Sequence, residues 1–216
     1  MLIPTLTVAQ QTASWLSIEH DMCAADWGSV TQYLTLRQTV TGAPLRQATT
    51  VRIIATHTHL WLCFDCADAD AWSTLTQHDD PIYTEEVVEL FIAAGESTPA
   101  QYFELEVNPG NVRFDGIIVN PDEVRSTMTL DTSWDPTWSS WTRCDAAGWR
   151  CVMALPWTSL GMSTGIGTWR MNLYRIDRPR DGSPSEESAW SPTLRIPGDF
   201  HIPSRFGFLV VTAENV

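Results

Sequence analysis

The 216-residue chain has no lysine; its 13 basic residues are all arginine, against 26 acidic residues and a net charge of −13. An acidic chain of this kind repels phosphate backbones, which excludes nucleic acid as a natural partner. It also lacks a basic amphipathic segment that would lie on a membrane surface, and any apolar run long enough to span one. The opening stretch MLIPTLTVAQQTASW has neither the basic start nor the apolar run of a signal peptide. The expectation is a cytoplasmic chain, or a secreted one from which a leader has been removed. There is no GxSxG, no glycine-rich phosphate loop and no cysteine in a reactive setting, so nucleophilic catalysis and nucleotide binding find little support. Charged residues make up only 18% and apolar residues 44%, the balance of a globular chain rather than a disordered one. At this length one domain, residues 1–216, buries roughly 70% of its unfolded surface.

Cysteine is present but not in a form that carries chemistry. Cys63 and Cys66 form a CxxC inside LWLCFDC, which alternates like a strand. Residues three apart on a strand face opposite ways, so the pair is neither a zinc knuckle nor a redox motif. Cys144 and Cys151 flank DAAGWR and could oppose each other across a hairpin. The total of five is odd, however, and buried thiols are the expectation.

What the chain does contain is tryptophan, eleven of them, and a strong two-residue alternation. Trp suits both cores and flat ligand faces. The alternation predicts strands over 51–56, 60–66, 87–93, 101–108, 112–119, 139–144, 149–155, 168–176 and 206–212. The turn signals THTH, GESTP, NPGN, DAAG and DGSPSEE separate them. PWTSLG, opening on Pro156 and closing on Gly161, predicts one helical turn; residues 71–77 predict a second. Residues 177–188 read as a long loop. Together these give an all-β fold, an antiparallel β-sandwich of jelly-roll or immunoglobulin-like kind with one or two short helical turns.

The stretch QYFELEVN places Phe103, Leu105 and Val107 on one strand face and Tyr102, Glu104, Glu106 and Asn108 on the other. Glu89 on the strand over 87–93, and Arg170, Asn172 and Tyr174 on that over 168–176, make similar polar faces. Aligned, they form a surface of carboxylates, amides and rings. Such groups hydrogen-bond vicinal hydroxyls and stack on a sugar ring. The same pattern also fits a solvated sheet face with cross-strand pairs.

Among the acids, Asp65, Asp68 and Asp70 in DCADAD alternate in a way that could hold calcium through oxygen ligands, although they lack the spacing of a helix-loop-helix calcium site. Of the five histidines, His20, His57, His59, His78 and His201, only His57 and His59 are close enough in sequence to suggest a metal. No third ligand stands near them. His201 reads as a polar group fixing the last turn. Glu104 and Glu106, or Glu89, could serve as an acid and base pair in a glycan-acting enzyme.

The succession LWLCFDCAD, DDPIYTEEVVELFI, YFELEVNPGNVRFDG, WRCVMALPWTSLG, GTWRMNLYRID, AWSPT and FHIPSRFGFLVV resembles the family 9 carbohydrate-binding modules, within the wider DOMON-like β-sandwich group. The resemblance covers about residues 51–212. It implies a non-catalytic β-sandwich that holds the end of a sugar chain between two rings, with carboxylates and amides on its hydroxyls. Tyr83 matches the first ring and Trp190 the second. Glu89 matches a sugar-binding carboxylate, and Glu106 and Asn108 fall where the family places Arg and Asn. Glu187 stands where an Asn would, and Asn172 is a further polar candidate. The ligand implied is a carbohydrate, with no cofactor required and a structural calcium allowed, since some members bind one. Three departures, Tyr for Trp at 83, Glu for Arg at 106 and Glu for Asn at 187, leave open a changed ligand, or a protein-interaction sandwich that no longer binds sugar.

Overall fold

A computed structural model describes residues 2–13, 16 and 21–214; His20 lies outside the described residues. Its strands, in chain order, are β1 (Thr5–Ala9), β2 (Tyr33–Thr35), β3 (Arg37–Gln38), β4 (Thr49–Ala55), β5 (His59–Ala67), β6 (Val87–Ala94) and β7 (Gln101–Val107). There follow β8 (Arg113–Val119), β9 (Thr129–Asp131), β10 (Ser139–Asp145), β11 (Gly148–Pro156), β12 (Gly167–Asp177), β13 (Glu186–Ala189) and β14 (Gly207–Thr212). A nine-stranded sheet runs β1-β14-β12-β6-β7-β8-β9, with β13 and β3 attached at β12. A five-stranded sheet runs β10-β11-β5-β4-β2. Among these strands only β1 and β14 pair in parallel.

The fold is the all-β sandwich that the alternation predicts. Inward-facing residues of both sheets meet in the main core, among them Leu62, Phe64, Val88, Leu90, Ile92, Leu105, Val107, Met153, Met171 and Leu173. Arg175 ties the sheets together from within. Its guanidinium donates to Ala67 O and Thr49 Oγ1 on the facing sheet and to Asp68 Oδ2 at 2.8 Å.

The outer faces are covered as well, and this departs from a simple inside-outside alternation. Met22, Cys23 and Trp27 pack over the five-stranded sheet against Ile54, Trp61, Cys63 and Val152. Over the nine-stranded sheet, Ile82, Phe200 and neighbours pack against Phe91, Tyr102, Phe114, Ile118, Tyr174 and Phe206. The polar face of QYFELEVN is therefore not solvated. Tyr102, Glu104, Glu106 and Asn108 are all buried.

Pro156 and Gly161 do bracket a turn of 3-10 helix, Trp157–Leu160, with Gly161 at φ 75° in the left-handed region that glycine favours. Residues 71–77 are not helical. Their backbone donors go instead to a side chain, as Thr74 N and Leu75 N both bond the Glu85 carboxylate. The loop expected over 177–188 is shorter, because Glu186–Ala189 joins β12 as β13. All five cysteines are free thiols. In the hairpin of β10 and β11, Cys144 lies opposite Trp149 and Cys151 opposite Thr142, so the two do not face one another.

Candidate functional site

Two-residue spacing stacks the floor of the site. Glu89 on β6 is directly opposite Glu106 on β7, and Glu104 is one step along the same face, opposite Phe91. Tyr174 flanks Glu89 on β12 and Phe114 flanks Glu106 on β8. One carboxylate oxygen from each of Glu89, Glu104 and Glu106 lies within 4.8 Å of the other two.

Above this floor is a cleft of about 340 Å³. Its walls come from segments between strands. Tyr83 stands on the 3-10 turn Ile82–Thr84, anchored by buried Ile82, with its ring edge-on to Phe114 at 5.8 Å. At 43% exposure Tyr83 is the open aromatic of the rim. Leu130 enters from β9, over Gly116, where a Cβ would come within 2.6 Å of it; that contact explains the glycine opposite Glu104. Arg125, Met128, Arg178, Glu187, Phe200 and His201 close the remaining sides.

The electrostatics are one-sided. Burial pushes the carboxyls of Glu89, Glu104 and Glu106 above the usual range, and the Glu89 and Glu106 carboxyls are raised further by the neighbouring glutamates. No donor reaches either oxygen of Glu106. Arg125 is engaged elsewhere, its Nε bonding Asp199 at 2.9 Å. His201 Nε2 lies 4.0 Å from Glu104 Oε1, while its Nδ1 shares a 2.7 Å hydrogen bond with the Tyr102 hydroxyl. Burial holds the His201 imidazole down to a pKa of about 3, so it is neutral.

Of the residues singled out in the sequence, Tyr83, Glu89, Glu106 and Glu187 line the cleft. The other three are placed elsewhere. Trp190 is in the main core, its ring packed over Gly207, where a Cβ would come within 2.4 Å. Asn108 closes the turn after β7, with Oδ1 accepting from Val112 N and Nδ2 donating to Leu75 O. Asn172 is spent on Ser191, whose N it bonds through Oδ1 and whose O through Nδ2, and on the Tyr174 hydroxyl. Asp65, Asp68 and Asp70 do not assemble into one ligand set. Asp65 bridges Arg52 and Arg150, Asp68 meets Arg175, and Asp70 meets Arg180. Asp68 is grouped instead with Glu86 and Asp177, and the Arg175 guanidinium pairs with Asp68 and Asp177.

Sequence reasoning put Glu104 on this face and offered it as an acid or base, but did not count it among the sugar-binding residues. Phe114 was signalled too, since Phe114, Gly116 and Ile118 keep the two-residue period. Arg125, Met128 and Phe200 carry no such signal, because loop geometry brings them in.

Fold and cleft together define a two-sheet β-sandwich with an acidic, ring-walled cleft on the outer face of its larger sheet. No family model matches the chain. An "Extracellular protein" of Arthroderma benhamiae is 26% identical, over 94% of this chain and 96% of its own length. Among solved structures, a Bacteroides uniformis protein provisionally named as carbohydrate-binding superposes with a TM-score of 0.74 at 17% identity, over 96% of this chain and 99% of that one. A family 9 carbohydrate-binding module from Caldicellulosiruptor kristjanssonii, solved with cellotriose, gives 0.65 at 12% identity over 98% and 95% of the two chains. Its glucose complex gives 0.65 at 13% over 98% and 97%. The fold is thus that of carbohydrate-binding modules of family 9.

Proposed function

We propose that the protein binds carbohydrate in this cleft without transforming it, taking a sugar unit against the Tyr83 ring with its hydroxyls on the carboxylates beneath. The observation that carries the reading is the stack itself. An exposed aromatic stands over buried, hydrogen-bond-hungry carboxylates in a concavity at the lower end of small-ligand pocket sizes. The fold is shared with modules solved holding cellotriose and glucose.

Glycoside hydrolysis needs two carboxyls flanking the scissile bond. Here Glu89, Glu104 and Glu106 lie side by side on adjacent strands of one floor, which favours holding a ligand over cutting it.

The test is a glycan array followed by calorimetry. Tyr83→Ala should lower affinity roughly fivefold to tenfold, the worth of about 1–1.5 kcal/mol from a ring contact, with an unchanged melting temperature. The reading needs no cofactor, so a chelator should leave binding as it was. A blank array from folded protein would overturn it, and so would turnover of a chromogenic glycoside that vanishes in Glu106→Gln.

A further inference from the structure

The floor carries more acid groups than the binding of neutral hydroxyls requires. Five carboxylates line the cleft, those of Glu89, Glu104, Glu106, Glu187 and Asp199, against the guanidinium groups of Arg125 and Arg178. Arg125 is committed to Asp199. Glu89, Glu104 and Glu106 are 2%, 5% and 0% exposed. Neither Glu106 oxygen has a donor, although that side chain is wholly buried and lines the cleft. No lysine exists anywhere in the chain to supply a cation. Desolvated carboxylates outnumbering the nearby cations are costly, and groups so perturbed in a cleft mark a functional site.

We propose that the ligand is an amino sugar, its ammonium group seated among Glu89, Glu104 and Glu106 and its ring against Tyr83. This rests on the carbohydrate-binding reading above and names the substrate class of the same site. An ammonium group has three N–H donors and no acceptor. The floor is its complement, three carboxyl groups that each bring an oxygen within 4.8 Å of the others, with no donor reaching either oxygen of Glu106. A hydroxyl in that position would donate one hydrogen bond and neutralise nothing. An acetamido group would bring no charge and added bulk. The walls also favour an organic cation over a bare divalent ion. A hard ion takes six to eight oxygen ligands, whereas the flanking side chains of Phe114, Ile118, Met128, Leu130 and Phe200 add no oxygen.

The experiment is calorimetric titration of the whole chain, in chelator, with glucosamine, N-acetylglucosamine and glucose and with their short β-1,4 oligomers, at a pH where the amine is protonated. The amino sugars should bind at least about tenfold tighter than their neutral counterparts, the worth of one charge-assisted interaction. Glu106→Gln should erase that preference while leaving weak, Tyr83-dependent binding of all three. Equal or tighter binding of the glucose series by the wild type would overturn the amino-sugar assignment and leave the carbohydrate reading standing. Failure of every sugar to bind folded protein would sink both. If calcium added without sugar binds the wild type and not Glu106→Gln, and the sugars bind only in its presence, the seat belongs to a metal and the ammonium assignment is wrong. Wild-type selectivity decides the matter even where a variant folds poorly.

Discussion

Trp190 and Tyr83 show how far single residues could be assigned in advance. Both are aromatic and both match a ring position by resemblance, yet Tyr83 is exposed at the rim and Trp190 is core. Trp190→Ala should therefore cost about 3–5 kcal/mol of stability by urea denaturation, as for other buried large-to-small changes. Sugar affinity of the fraction still folded should not change. Intact stability with lost binding would return Trp190 to the site. The reason a sequence does not separate these residues is that a ring's exposure depends on what packs over it. For Trp190 that is Gly207, seventeen positions on. Asn108 and Asn172 mislead for a related reason. A short amide bonds nearby backbone as readily as ligand, and here both do, Asn108 in the turn after β7 and Asn172 in the middle of β12. Glu89 and Glu106 were legible because strand alternation fixes their face and nothing local competes for them.

At the scale of elements, the predicted strands all form, since periodicity of two survives any change of partner. Which strands neighbour each other does not follow from periodicity. β6 sits between β7 and β12, and β12 arrives more than seventy residues later. The two sheets are pinned where β12 faces β5, through Arg175 and Asp68, side chains 1% and 3% exposed. Removing one partner of a buried pair leaves the other uncompensated. Asp68→Ala should thus destabilise the protein by about 3–5 kcal/mol, read as a fall in the urea midpoint. A change under about 0.5 kcal/mol, the size of a surface substitution, would mean that Asp177 carries the guanidinium alone. The segment over 71–77 failed to become a helix at this same scale. Carboxylates downstream take its backbone donors, Glu85 those of Thr74 and Leu75 and Asp80 those of Thr76 and Gln77.

For the whole molecule, buried acids set the response to pH. Burial raises the carboxyl of Glu86 to about 9 and that of Glu104 to about 7, with Glu89 and Glu106 also high. A carboxyl raised in the folded state holds its proton more tightly than in the unfolded chain. Its stabilising contribution is complete below the ordinary value near 4.5 and is lost as pH rises through the folded one. His201, lowered to about 3, works the other way, since its contribution is present above the ordinary imidazole value of 6.5 and fades as pH falls. The melting temperature of the ligand-free protein should rise as pH falls from about 9 to about 6.5, and then rise less steeply as His201 opposes the acids. A melting temperature flat or falling over the first interval would contradict the burial of these groups.

The cleft draws its floor from the two central strands of a sheet and its walls from chain that returns over that sheet. The two parts answer to different pressures. The floor cannot vary without disturbing pairings that hold the sandwich together, while the segments bearing Arg125, Met128 and Phe200 pair with no sheet. Drift in those segments would change which ligand the cleft admits while leaving the sandwich intact. Across relatives, ligand preference should therefore diversify faster than architecture, and a library randomised at those wall positions alone is the economical route to new specificities.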